Sequence, residues 1–79
     1  MIRLPASEKT LSSVKPGFKE IISHFRDEQV ACRCISMGLL PGSVVEILHR
    51  APFGGGCYVK SDRLHVAMRR EEACSIVLV

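Results

Sequence analysis

The sequence predicts a mainly β fold, a small barrel of about five short strands with one inserted helix and a short helical turn before the last strand. Three observations lead there. Proline-glycine pairs stand just ahead of β-branched runs, several short segments alternate apolar and polar residues with a period of two, and a single long segment carries helical spacing.

Pro16-Gly17 and Pro41-Gly42 place proline where φ is already set at about −65° and glycine where a type II turn needs positive φ, so both are predicted as tight turns feeding strands. After the first, FKEIISHF (18–25) alternates imperfectly but is rich in β-branched and aromatic side chains, and is predicted as a strand. In DEQVACRCISM (27–37), Val30, Cys34 and Met37 fall at i, i+4 and i+7, with Ala31 and Ile35 on the same side. That is helical spacing. Asp27 and Glu28 stand where carboxylates favour a helix N-terminus, and Gly38 where helices commonly end in the left-handed conformation.

SVVEILH (43–49) sets Val45, Ile47 and His49 on one face and Val44, Glu46 and Leu48 on the other, as in a strand whose second face is partly covered. CYVK (57–60) and RLHVAM (63–68) alternate again, with Ser61-Asp62 as the expected hairpin turn and antiparallel arms. RREEA (69–73) suits one helical turn, and SIVLV (75–79) a closing apolar strand. Strands this short cannot bury their apolar faces as an open sheet, and free edges invite aggregation, so closure into a small barrel is expected. Gly54, Gly55 and Gly56 then shape a protruding loop, because sharp bends need residues that tolerate unusual φ and close backbone approach.

Length and composition bound the function. Seventy-nine residues suffice for one domain, 1–79, with residues 1–9 expected as a flexible N-terminal segment. With 47% hydrophobic and 24% charged residues the chain resembles ordinary globular proteins. No apolar run reaches the length of a membrane span and MIRLPASEKT is no secretory signal, so a cytoplasmic location without membrane insertion is expected. The four cysteines are then expected as reduced thiols. A net charge of +3, with basic residues scattered or beside acids as in RREE (69–72), is not the basic stripe of a nucleic-acid binder, and no nucleic-acid partner is expected.

Candidate chemistry is sparse. Glycines 54–56 lack the lysine and hydroxyl residue of a phosphate loop. Cys32 and Cys34, two apart on a helix, point to different sides and miss the usual zinc spacing, so these and Cys57 and Cys74 read as structural or incidental thiols, and His24, His49 and His65 are each isolated within strand-like segments. A metal carrier or sensor using these Cys and His side chains stands as the alternative function; no cofactor is expected. No nucleophile accompanies a base, Glu71 and Glu72 read as a solvated turn, and no enzymatic activity is expected. The best signal lies in GLLPGSVVEILHRAPFGG (38–55). Leu39 and Leu40 precede a turn and Phe53 sits among glycines, so at least one of them either projects as an interaction surface or folds back to plug the barrel.

Three linked stretches resemble one family. The order Arg33-Cys34-Ile35-Ser36-Met37-Gly38-Leu39-Leu40-Pro41-Gly42, then Val45-Glu46-Ile47-Leu48 with Ala51-Pro52-Phe53-Gly54-Gly55, and Met68-Arg69-Arg70-Glu71-Glu72-Ala73 before SIVLV, is similar to ferrous iron transport protein A, FeoA, as is the earlier Leu11-x-x-Val14-Lys15-Pro16-Gly17. The resemblance implies an SH3-like barrel that serves as a bacterial cytoplasmic accessory to FeoB, a ferrous iron permease with a cytoplasmic GTP-binding domain. Carried over position by position, it nominates Gly38, Leu39, Leu40, Pro41, Gly42, Ala51, Pro52, Phe53 and Gly54 for partner contact. Self-association is left open. Cys32 and Cys34 depart from the family pattern, which is richer there in arginine and leucine. A similar domain ends metal-dependent repressors, but no helix-turn-helix precedes it in this chain.

Overall fold

Turn chemistry and alternation together produce an antiparallel sheet in the computed structural model, which describes residues 9–79. The part of the expected flexible segment that precedes Lys9 lies outside the described residues. In chain order come a 3₁₀ turn (Leu11–Ser13), β1 (Lys19–Phe25), α1 (Glu28–Met37), β2 (Val44–Arg50), β3 (Cys57–Ser61), β4 (Leu64–Met68), α2 (Arg70–Cys74) and β5 (Ile76–Leu78). The strands form one sheet in the order β4-β3-β2-β1-β5.

β1 gives the sheet its curl. Lys19, Glu20 and Ile21 pair with Glu46, Val45 and Val44 of β2, whereas Ile22, His24 and Phe25 pair with Leu78, Val77 and Ile76 of β5. A register shift between Ile22 and His24 marks the bend, as a bulged strand requires. The edges β4 and β5 share no ladder among the described residues, so the sheet wraps a common core instead of closing strand to strand. The outer side of β5 is covered by the start of the chain, through a bridge of Thr10 to Val77 and a bond from the Leu78 N–H to the Lys9 carbonyl (2.8 Å). That covers an edge which would otherwise invite pairing.

The core is apolar. Leu11, Ile22, Leu39, Ile47 and Ile76 are withdrawn from solvent, together with Val45, Val59 and the Cys34 side chain. Helix α1 is set by its ends. The Asp27 carboxylate accepts from the Gln29 (2.8 Å) and Val30 (3.2 Å) N–H groups, and Gly38 at φ 99° stops the helix.

Several expectations are corrected. Ile35 is 48% exposed, outside the buried stripe that Cys34 anchors. The hairpin turn is Asp62-Arg63, one residue later than Ser61-Asp62, because Ser61 pairs with Leu64 and Asp62 takes the positive φ (56°). A register shift between Ile47 and His49 turns His49 to the exposed side, where its ring stacks on Tyr58 at 5.7 Å. Glu72 is no freely solvated carboxylate: it pairs with Arg33 of α1 and accepts from the Arg69 N–H (2.9 Å).

Candidate functional site

The loop between β2 and β3 explains its own glycines. The Ala51 N–H bonds the Gly56 carbonyl (2.9 Å) at the base, and the Gly55 N–H bonds the Pro52 carbonyl (3.2 Å) across the tip. The two central residues, Phe53 (φ 59°) and Gly54 (φ 73°), are both left-handed, which makes the tip a type I′ turn. At Gly56 a Cβ would stand 1.9 Å from the Met68 carbonyl oxygen, so only glycine lets β3 begin this close to β4.

Phe53 is the anomaly. Type I′ turns favour Asn, Asp or Gly at this position, and a left-handed aromatic residue costs about 1–2 kcal/mol. Its side chain recovers none of that by burial, because it is fully exposed. An apolar ring kept in water on a strained backbone has the mark of a residue retained for contact with something else.

The second tip follows α1. The Gly38 N–H bonds the Ile35 carbonyl (3.0 Å) and the Leu39 N–H bonds the Cys34 carbonyl (2.8 Å), the paired bonds of a Schellman motif. That motif turns the residue after the glycine back onto the helix. Leu39 therefore lies wholly buried with Cys34 in the core, and is corrected from a surface candidate to a packing residue. Leu40, 46% exposed, is left outside with Pro41 and Gly42. Their turn is closed by the Ser43 N–H to the Leu40 carbonyl (2.9 Å), by Leu40 N–H to Ser43 Oγ (3.0 Å), and by Gly42 N–H to the Ile22 carbonyl of β1 (2.7 Å). Beside it Ile21 and Val44, directly opposite across β1 and β2, are both exposed.

Gly38, Leu40, Pro41, Gly42, Ala51, Pro52, Phe53 and Gly54 are thus all at the surface, but in two places. One group precedes β2 and the other follows it. Seven residues of strand separate them, which is about 20 Å at roughly 3.3 Å per residue.

Elsewhere the chemistry is inert. Among the described residues no three His, Cys, Asp or Glu side chains gather around a common point. Burial pushes the Cys34 thiol upward, with Glu72 adding to the rise and Arg33 opposing it; burial also raises Cys57, against the pull of Arg50. Neither is poised as thiolate nucleophile or ligand. Arg50 carries a role that no sequence pattern signals: its Nε and Nη2 donate to the Val14 carbonyl (2.9 and 2.6 Å) and Nη2 to the Leu11 carbonyl (2.9 Å). It ties the 3₁₀ turn to the end of β2.

The FeoA domain model matches residues 9–79. The chain belongs to the FeoA family. That family is associated with ferrous iron transport. The FeoA protein of Chlorobium tepidum superposes at a TM-score of 0.81 with 28% identity, over 89% of this chain and 68% of the other. Zinc-complexed FeoA of Stenotrophomonas maltophilia, described as an SH3 domain protein, superposes at 0.78 with 24% identity over 90% of this chain and 89% of that one. A manganese-dependent transcriptional repressor shares the fold at 0.81 and 23% identity, over 92% of this chain but 41% of its own. No curated protein matches the chain. The FeoA domain described above is thus an SH3-like, mainly β fold, as its sequence predicts. Among its described residues no helix is long and apolar enough to cross a membrane.

Proposed function

We propose that this protein is a non-catalytic cytoplasmic accessory of bacterial ferrous iron uptake, which binds the cytoplasmic GTP-binding part of a FeoB-type permease and modulates transport. Family membership supports the setting. The observation that carries the docking role is Phe53, fully exposed on a left-handed backbone at the tip of a rigid turn. Leu40 with Pro41 and Gly42 forms a second contact at the far end of β2. Rigid tips suit docking, since little conformational entropy remains to be lost when they bind.

Phe53→Asn separates docking from folding. It creates Asn-Gly, the favoured pair for a type I′ turn, so the variant is expected to unfold at equal or higher urea, with a gain of about 1 kcal/mol. Binding to the purified permease domain, measured by calorimetry, is expected to weaken about tenfold or more. Unchanged affinity in this folded variant overturns the docking role of the loop.

A further inference from the structure

β4 is an edge strand with one side unused. A two-residue turn links it to β3, with Ser61 opposite Leu64, Val59 opposite Val66 and Cys57 opposite Met68. In such a hairpin the residues flanking the turn, and every second pair beyond, exchange the ladder bonds, so Leu64, Val66 and Met68 face β3. The backbone N–H and C=O groups of His65 and Ala67 therefore point away from the sheet, and they find no hydrogen bond among the described residues. Both side chains are exposed.

This open edge has a charge of one sign. Arg63 stands at its start and Arg69 at its end, both exposed, and neither forms an ion pair among the described residues, whereas the Arg70 guanidinium reaches to Gly54 of the β2–β3 loop. Lys60 lies across the ladder from His65. Of the nearby carboxylates, Glu72 is engaged by Arg33, Asp62 occupies the hairpin turn and Glu71 lies on α2. Positive charge at an edge is a known device against sheet-to-sheet aggregation, and it acts by excluding strands that are neutral or basic. An acidic strand is the one it admits.

We infer that the β4 edge is a docking strand for an extended acidic segment of another protein, which adds to the sheet beside β4 and sets carboxylates against Arg63 at one end and Arg69 at the other. Backbone bonds to His65 and Ala67 fix its register, and charge selects it. Six residue steps separate Arg63 from Arg69, about 20 Å along a strand, so the segment carries acids at both ends of a core of about five residues free of proline. A second copy of this chain fits less well: antiparallel pairing of two β4 edges about Val66 puts Arg63 of each copy opposite Arg69 of the other, and like charges directly opposite are destabilising. The inference does not rest on the docking role of Phe53.

The test uses the whole chain and a fluorescent peptide, acetyl-Glu-Glu-Thr-Val-Thr-Val-Thr-Glu-Glu-amide, with a counterpart in which every glutamate is lysine. The acidic peptide is expected to bind in a salt-sensitive way and to slow amide exchange at His65 and Ala67, while the lysine peptide does not bind. Ala67→Pro removes an outward N–H that no ladder bond uses, and is expected to weaken binding about tenfold or more. Should that variant misfold, the same peptide with its Val and central Thr amides N-methylated keeps the charge and loses the backbone bonds, and is expected to bind as weakly. Arg63→Glu with Arg69→Glu is expected to reverse the preference between the two peptides, and Phe53→Asn to leave it unchanged. Equal binding of the N-methylated peptide reduces the effect to surface charge and overturns strand addition. So does absence of binding at about 1 mM peptide, or protection of His65 and Ala67 by concentrated protein alone, which assigns the edge to a second copy.

Discussion

At the scale of single residues, position relative to a cap or a turn decides fates that hydrophobicity alone does not. Leu39 and Leu40 are identical neighbours, yet the Schellman bonds of Gly38 bury the first and expose the second. Leu39→Ala is expected to cost about 2–5 kcal/mol in urea unfolding, whereas Leu40→Ser changes stability little; equal losses would contradict the placement of the two side chains. The cysteines divide the same way. Cys32 is exposed and Cys34 and Cys57 are buried with raised thiol pKa values, so Ellman's reagent is expected to modify Cys32 fast in the native state, and Cys34 and Cys57 only on unfolding. Because the folded state holds both buried thiols above their ordinary value of 9.0, the unfolded chain releases these protons first. Their contribution to stability is therefore complete below that pH and declines as pH rises beyond it. Denaturation midpoints that stay level well into the alkaline range, or that rise, would refute the assignment. The alternation of Leu39 and Leu40 was readable in principle, since an apolar residue right after a helix-ending glycine commonly packs back on the helix.

At the scale of elements, type and order were legible because the pattern of apolar residues is a property of each segment alone. β1, α1, β4 and β5 fall within the stretches predicted for them, and β2, β3 and α2 each run one residue past theirs, to Arg50, Ser61 and Cys74. Illegible were the features fixed by a neighbour. The turn at Asp62-Arg63 is set by the pairing of Ser61 with Leu64, and the outward swing of His49 by a register shift against β3. The 3₁₀ turn at Leu11–Ser13 is the clearest instance, for its carbonyls are satisfied by Arg50, 39 positions away from Leu11. A side chain reaching that far leaves no local trace. Arg50→Ala removes donors from the half-buried carbonyls of Leu11 and Val14, and is expected to cost about 2 kcal/mol and to speed amide exchange around the 3₁₀ turn. Arg50→Lys, with one point of charge where a fork is needed, is expected to recover only part of it. A neutral Arg50→Ala would show that water satisfies these carbonyls as well as the guanidinium does.

At the scale of the whole molecule, the sheet converts two neighbouring motifs in sequence into two remote points in space. The turn at 40–42 and the loop at 51–56 are eleven residues apart from Leu40 to Ala51, and read along the chain they look like one apolar cluster. The strand between them is extended, and its two ends, from which the turn and the loop spring, are about 20 Å apart. Sequence spacing carried the identity of the tips, but their separation is a consequence of β2 being a strand, which a helical linker of equal length would have cut by more than half. A permease domain that touches both tips must then present two patches, and each patch meets its own tip. Groups that far apart, with no shared neighbour, contribute to binding independently. Leu40→Ser and Phe53→Asn are accordingly expected to weaken permease binding by amounts that add in the double variant to within about 0.5 kcal/mol, read by calorimetry. A double variant no weaker than Phe53→Asn alone would confine docking to the loop and leave Leu40 a bystander. A double loss well beyond the additive value would mean that β2 transmits strain between its ends.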